Sequence, residues 1–461
     1  MNKTRNMFVP LWRKKECQPK TNNNMIAEFR IKNYLSIKTE QCLSFEATPE
    51  SSNESQYCVE VKEGVKLLKT AIIYGANASG KTNVLNALSF FQDIMINAPK
   101  DKNEKIKFEC FRLDNTSRYE KSEMSLTFYL DKVKYVLSVV FDNSIIYAES
   151  LVYYPGAQPA KLYTRTYNEQ NNATDIEFGS KLGLSKKGQM AIWGNTINNS
   201  TVMAAFGKSN VESSPLNDVY DFFAIHMHEM LRPANSMSGF IKKQLEDDRY
   251  GGLKPFLIDF LKTSDFNITN LEIKEDEEII TPDMDRMILA SPLPDYAKRQ
   301  MIQKGKIAKY DLVFTHETDN GRYELPEESE SRGTIRLMGM AVILRKLLQQ
   351  NSIVIIDEVE TSLHYELLSY FIKVFLANSE KNSQLIMTTH DINLLNEDFI
   401  RRDSVWFTDK DRDGETHLTR LSSMGLHKNL SLYNAYKQGK LVKLPFLGSV
   451  FLKDDNLCDR K

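Results

Sequence analysis

AIIYGANASGKTN, residues 71–83, sets two branched aliphatics and a tyrosine directly before a run of Gly, Ala, Asn and Ser that closes on Lys-Thr. Core packing alone does not ask for that order. A buried strand that aims a phosphate-holding turn does. Residues 75–82, GANASGKT, match G-x-x-x-x-G-K-[ST]. Gly75 lets the chain turn sharply off the strand, and Gly80 lets the backbone approach an oxygen. The N–H groups of the loop, through Asn77 and Ser79, surround a phosphate together with the N-terminus of the following helix. Lys81 reaches the β/γ oxygens, and the Thr82 hydroxyl is a ligand for Mg²⁺. The motif requires a strand before it and a helix after it. VKLLKTAIIY and TNVLNALSFFQDIM supply them.

Such a loop needs a second contact to its metal. SIVIIDEVETSLH, residues 352–364, offers one. Four branched aliphatics, residues 353–356, read as a central strand that ends at Asp357, placed to hold Mg²⁺ directly or through water. Glu358 follows and points to the other side, where a carboxylate suits a base that polarises an attacking water. QLIMTTH then gives another buried strand ending in Thr388, Thr389 and His390. A histidine at the carboxyl end of a strand beside a nucleotide is placed to sense the γ-phosphate.

Working outward, IAEFRIKNYLSI and CLSFEA read as paired strands. Two period-two strands follow the phosphate loop and its helix. One puts Met124, Leu126, Phe128 and Leu130 on one face, and the other Tyr135, Leu137, Val139 and Phe141. Residues 165–310 hold helical segments such as PLNDVYDFFAIHMHEML and GGLKPFLIDFLKTS between Asn/Ser-rich loops. They read as an inserted, mainly helical subdomain from which DFNITNLEIKE and KYDLVFTHE return to the sheet. From Arg332 on, helix and strand alternate, which predicts βαβ units on a parallel sheet. The expected organisation is a flexible tail (1–24), a first part of the core with the phosphate loop and an antiparallel β subdomain (25–164), the insertion (165–310) and a closing part of the core (311–461). The fold class is α/β.

The chain has 461 residues with 41% hydrophobic and 26% charged side chains, ordinary for a globular protein with a large core. A net charge of −1 gives no global signature for nucleic acid or membrane. Cys17, Cys42, Cys58, Cys110 and Cys458 are scattered without a C-x-x-C pair, as expected of free thiols in a reducing cytoplasm. No apolar run has the length of a membrane span. His226, His228 and Glu229 lie in an apolar-periodic run, and packing is their expected use. EDEEII (275–280) reads as a solvated turn. Trp12, Trp193 and Trp406 show no base-stacking arrangement with interleaved basic residues, so nucleic-acid contact is not readable.

These pieces together resemble the ATP-binding-cassette branch of P-loop ATPases. Within it they look most like the RecF/SMC/OLD-type group and its RloA-like AAA-family ATPases. FRIKNYLSIK resembles that group's first strand. ESESRGTIRL (328–337) resembles its signature motif, with Ser331 and Gly333 matching the Ser and second Gly. DEVETSLH resembles a fused Walker-B and D-loop, and TTHD the switch-histidine motif. RRDSVWFTDKDRDGETHLTRL and the later Gly-x-x-x-x-x-Pro-Phe resemble the closing segment of RloA-like proteins. Gln92, on the helix after the phosphate loop, is out of place for a Q-loop glutamine. No segment matches the long coiled coil of SMC proteins.

The resemblance implies ATP hydrolysis with Mg²⁺ at a composite site. The signature helix of one subunit, with Ser331 and Gly333, covers ATP held by another in a homodimer or higher homo-oligomer. It also implies a switch that controls a separately encoded effector, such as a nuclease or Toprim-like protein, in bacterial defence against phage. A RecF-like repair ATPase that binds DNA directly, or an ATP-held scaffold with little turnover, are the alternatives.

Overall fold

The computed structural model describes residues 24–442 apart from 51, 249, 265–266, 292, 381 and 428–429. The expected tail (1–24, save Asn24) and the Pro-Phe of the expected closing motif lie outside the described residues.

In chain order the elements begin with β1 (Met25–Lys32), β2 (Gln41–Ser44), α1 (Glu54–Tyr57), β3 (Cys58–Lys62), β4 (Val65–Leu68), β5 (Thr70–Gly75) and α2 (Lys81–Ile96). Next come β6 (Ser122–Leu130), β7 (Val133–Phe141), β8 (Ile146–Tyr154), β9 (Ala160–Asn168), β10 (Ala173–Phe178), α3 (Lys186–Asn195), α4 (Val202–Gly207) and α5 (Ser214–Asp221). Then follow α6 (Met237–Asp247), α7 (Leu253–Thr263), β11 (Ile268–Ile279), α8 (Pro282–Ala290), α9 (Asp295–Lys304), β12 (Lys306–Thr318), β13 (Gly321–Pro326) and α10 (Arg332–Gln349). The last are β14 (Ile353–Ile356), α11 (Tyr365–Asn378), β15 (Gln384–Thr388), β16 (Val405–Lys410), β17 (Thr416–Arg420) and α12 (Leu432–Lys437).

The chain divides into two compact units. Among the described residues, one comprises 24–232, 351–359 and 382–442; the other comprises 233–350 and 360–380. The first unit is built on a five-stranded sheet of order β14-β15-β5-β16-β17. β14, β15, β5 and β16 run parallel, and β17 closes the edge antiparallel. β5, β14 and β15 are buried at every residue, which is why they read as unbroken apolar runs rather than alternating ones. A seven-stranded sheet, β10-β9-β8-β7-β6-β1-β2, forms the antiparallel layer. The eight residues predicted for the inner face of β6 and β7 are all buried. α2 shares one core with both sheets. Phe91 packs on Phe29 and Phe223, Phe90 on Phe141, and Phe128 stacks on Phe222 at 4.5 Å.

In the second unit α10 packs on α6, α7 and α11, and β11-β12-β13 form a separate three-stranded sheet. Gly339 of α10 is there because a Cβ would lie 2.6 Å from Met237 Sδ.

The α/β class and the P-loop core with an antiparallel β layer are as expected; the subdomain limits differ. The expected boundary at 165 falls inside β9, whose pairing with β8 on one side and β10 on the other carries the antiparallel sheet to residue 178. α3–α5 also belong to the first unit, so the division comes at Arg232/Pro233. The expected boundary at 310 falls inside β12. β11 and β12 pair with each other along their length instead of returning to the main sheet, and EDEEI (275–279) is the outer part of β11 rather than a turn. PLNDVYDFFAIHMHEML is helical only to His226, ending in a π turn over Phe222–His226. Its last residues run extended along β14, with parallel bridges Met227–Ile353 and Leu231–Ile356.

Candidate nucleotide site

The parallel strands bring their carboxyl ends to one edge, where ligands of open α/β sheets bind. Register does the placing. Ile356 of β14 pairs with Met387 of β15, Thr388 with Ile73 of β5, and Gly75 with Thr408 of β16. The residues that follow Ile356, Thr388 and Gly75 are therefore neighbours in space, although Gly75 lies hundreds of positions before the other two in sequence.

The loop from Gly75 to Gly80 turns through two left-handed residues, Ala78 (φ 63°) and Gly80 (φ 105°). Alternation of that kind aims successive N–H groups into one concavity and suits an anion. Asn77 is exposed at the tip, and Ser79 is buried. Gly80 caps α2, so the unsatisfied N–H groups of the first helical turn face the same space. Lys81 is buried, and its Nζ donates to Gly75 O (3.0 Å) and Ala76 O (3.2 Å) and lies 3.5 Å from His390 Nδ1. The Thr82 hydroxyl donates to the Asp357 carboxylate, 3.1 Å from Oδ1 and 3.0 Å from Oδ2. Asp357 is 5% exposed. Its own N–H donates to Leu231 O, which fastens the carboxyl end of β14 to the extended segment beside it. Glu358 is half-buried and adopts φ 47°. His390 is exposed at the rim.

Gly75, Asn77, Ser79, Gly80, Lys81, Thr82, Asp357, Glu358 and His390 thus all belong to one unit and one sheet edge. The donors fit the groups expected there. A hydroxyl and a carboxylate are hard oxygen ligands suited to Mg²⁺, and an ammonium with loop amides suits phosphate oxygens. Ser331 and Gly333 lie in the other unit. Ser331 is the exposed N-cap of α10, and its Oγ accepts from Thr334 N at 3.0 Å. A Cβ on Gly333 would lie 3.2 Å from Ser362 O, so glycine permits a close approach of the signature turn to the D-loop, where Ser362 has φ 61°.

Three residues that hold the loop escaped the sequence reading. Ser79 Oγ bonds Thr408 Oγ1 at 2.6 Å, and Thr408 Oγ1 donates to Tyr74 O. Thr416 Oγ1 donates to Ser79 O at 2.9 Å and meets Ser36 Oγ at 2.7 Å; Asn83 Nδ2 donates to the same Ser36 oxygen. Gln92 has a packing role. Its Nε2 donates to Phe223 O and Met227 O, carbonyls released where the π turn ends. His226 and His228 bond Asn351 O and Ser352 Oγ, as packing residues do.

A family model described as "AAA domain, putative AbiEii toxin, Type IV TA system" matches residues 71–396, well over half of the chain and all the loop, acidic and histidine residues above. The chain belongs to this AAA-domain family. Among solved structures it is similar to the SMC head domain from Thermotoga maritima (12% identity, TM-score 0.37, covering 86% of this chain and 98% of that one). It is also similar to an SMC head bound to the C-terminal winged-helix domain of ScpA (12%, 0.41, 89% and 99%). A third is the SMC head with an extended coiled coil bound to the C-terminal domain of ScpA, derived from Pyrococcus furiosus (10%, 0.38, 90% and 98%). No curated protein sequence matches the chain. No helix among the described residues is long and apolar enough to cross a membrane.

Proposed function

We propose that this AAA-domain protein binds ATP with Mg²⁺ and hydrolyses it to ADP and phosphate. The observation that carries this reading is the contact of the Thr82 hydroxyl with the Asp357 carboxylate beside the buried Lys81, three groups that two distant motifs supply. Lys81 and the loop amides bind the β- and γ-phosphates. Thr82 and Asp357 hold the metal, which when bound neutralises charge on the phosphoryl oxygens. Glu358, turned away from Asp357 by its left-handed backbone, orients and deprotonates the attacking water. His390, next to Lys81 on the rim, contacts the γ-phosphate.

Ser331 and Gly333 at the N-terminus of α10 serve the nucleotide of a second copy, so ATP holds two subunits together and hydrolysis releases them. The output is control of a separately encoded effector, nuclease or Toprim-like, in RloA-like defence against phage. The Type IV toxin–antitoxin wording of the family description supports an output of that kind.

Two variants test the chemistry. Lys81→Ala loses nucleotide binding. Glu358→Gln retains binding and a longer-lived ATP-dependent assembly, while turnover falls by about 10²-fold or more, the usual contribution of a general base. Phosphate release and light scattering with and without ATP measure both. Wild-type turnover in Glu358→Gln removes Glu358 from the mechanism.

A further inference from the structure

We infer that Thr388 is the positioning residue of this site, with one hydroxyl setting both acidic groups. The inference rests on the ATP–Mg²⁺ reading above. Thr388 ends β15 and is fully buried. Its Oγ1 donates to Asp357 Oδ1 at 2.6 Å and accepts from Glu358 N at 2.8 Å. A hydroxyl has one proton and two lone pairs, so both bonds form at once and fix each other's direction. The backbone repeats the clamp one residue on, where Val359 N donates to Thr388 O at 3.1 Å.

Two consequences follow for the chain's own residues. The Asp357 carboxylate is pinned through Oδ1, which fixes the rotation of the group and holds both of its oxygens within 3.1 Å of the Thr82 hydroxyl. The Glu358 backbone is held at φ 47°, a conformation a glutamate keeps only where its surroundings impose it. One hydroxyl thereby fixes the Asp357 carboxylate and the backbone from which the Glu358 side chain departs. Leu385–Thr388 align with β5 and β14 through ordinary sheet pairing. Placing strand β15 therefore does not need a hydroxyl at its last residue; placing Asp357 and Glu358 does.

The test compares wild type with Thr388→Val, which keeps the shape without the hydroxyl, and Thr388→Ser, which keeps the hydroxyl. Thr388→Ala gives the same readouts should the valine variant not fold. In ligand-free protein, amide exchange in a peptide covering 357–364 is faster in Thr388→Val and unchanged in Thr388→Ser. With a non-hydrolysable ATP analogue, the Mg²⁺ concentration that half-saturates binding rises roughly 10–100-fold in Thr388→Val, the usual cost of losing an outer-shell partner, and returns in Thr388→Ser. Analogue binding in EDTA stays the same in all three. A Thr388→Val protein that titrates with Mg²⁺ like wild type overturns the assignment, as does a serine variant no better than the valine one. If wild type shows no Mg²⁺-dependent binding, the ATP–Mg²⁺ reading falls, and unchanged exchange at 357–364 separately removes the structural role of the hydroxyl.

Discussion

Gly80 carries two constraints that can be separated by mutation. Its φ of 105° disfavours any side chain, and a Cβ would lie 2.2 Å from Thr416 Oγ1. Gly80→Ala is expected to lower stability by more than ~1 kcal/mol, the cost exceeded when alanine is forced to positive φ, and to weaken nucleotide binding. Adding Thr416→Ala removes the two closest contacts, Oγ1 and Cγ2, but leaves the Thr416 Cβ at 2.9 Å and the backbone strain, so the double variant recovers part of the loss. Urea midpoints of the four proteins measure this; complete recovery would mean the backbone angle costs nothing. The glycines, Lys81, Thr82, Asp357 and Glu358 were legible in the sequence because each motif is contiguous and its chemistry is local. Thr408 and Thr416 were not. They are 329 and 337 positions from the Ser79 atoms they meet, and a threonine in a strand is ordinary for its β propensity.

Among the elements, β15 has a second buried polar residue at its other end. Gln384 accepts from Ile26 N at 2.7 Å and donates from Nε2 to Ile26 O and Leu68 O. One fully buried amide thus stitches the parallel sheet to β1 of the antiparallel sheet and to β4. Gln384→Leu keeps comparable bulk and orphans one donor and two acceptors. Each buried unsatisfied group costs about 1–3 kcal/mol, so the variant should unfold at a clearly lower temperature than wild type by calorimetry. An unchanged melting temperature would show that the stitch contributes nothing. Strands such as β5, β6, β7, β14 and β15 were readable because burial on one face or two writes period two or an unbroken apolar run. The stretch ending at Leu231 was not. Its apolar spacing suits a helix, and what makes its last residues extended is pairing with β14, more than 120 positions away, and the two carbonyls taken by Gln92. The charged half of β11 was misread for a related reason. Its outer residues are exposed on both faces, and the strand exists through backbone pairing with β12.

At the scale of the molecule, two buried ion pairs respond to acid in opposite senses. Arg401 and Asp403 are fully buried. Arg401 Nη1 donates to Glu50 O and Ser52 O, while Asp403 Oδ2 accepts from Thr48 N and Oγ1, so the pair ties the early chain to the late chain. Burial pushes the Asp403 carboxyl up, but the Arg401 guanidinium and the Thr48 donors prevail and hold it below the usual carboxylate range. A carboxyl lowered in the folded state stabilises fully above its unfolded value, near 3.9, and that contribution drains as pH falls through the lower folded value. Glu149 and Arg165, 3.9 Å apart and fully buried, behave oppositely. Desolvation outweighs their attraction, so Glu149 is raised and Arg165 is lowered to about 10. A raised carboxyl gives stability that is complete below its unfolded value and lost as pH rises through the folded one. The Glu149 contribution therefore grows on acidification while that of Asp403 disappears. Asp403→Asn strands the Arg401 charge and should cost about 3–5 kcal/mol at neutral pH, the range for breaking a buried pair. It should also flatten the lower part, below about pH 4, of the decline in melting temperature between pH 5 and pH 3. Glu149→Gln should instead steepen the upper part, above the unfolded value of a glutamate near 4.3. Melting curves of the two variants across this range decide the matter: parallel acid limbs in both and in wild type would place the acid sensitivity in neither pair.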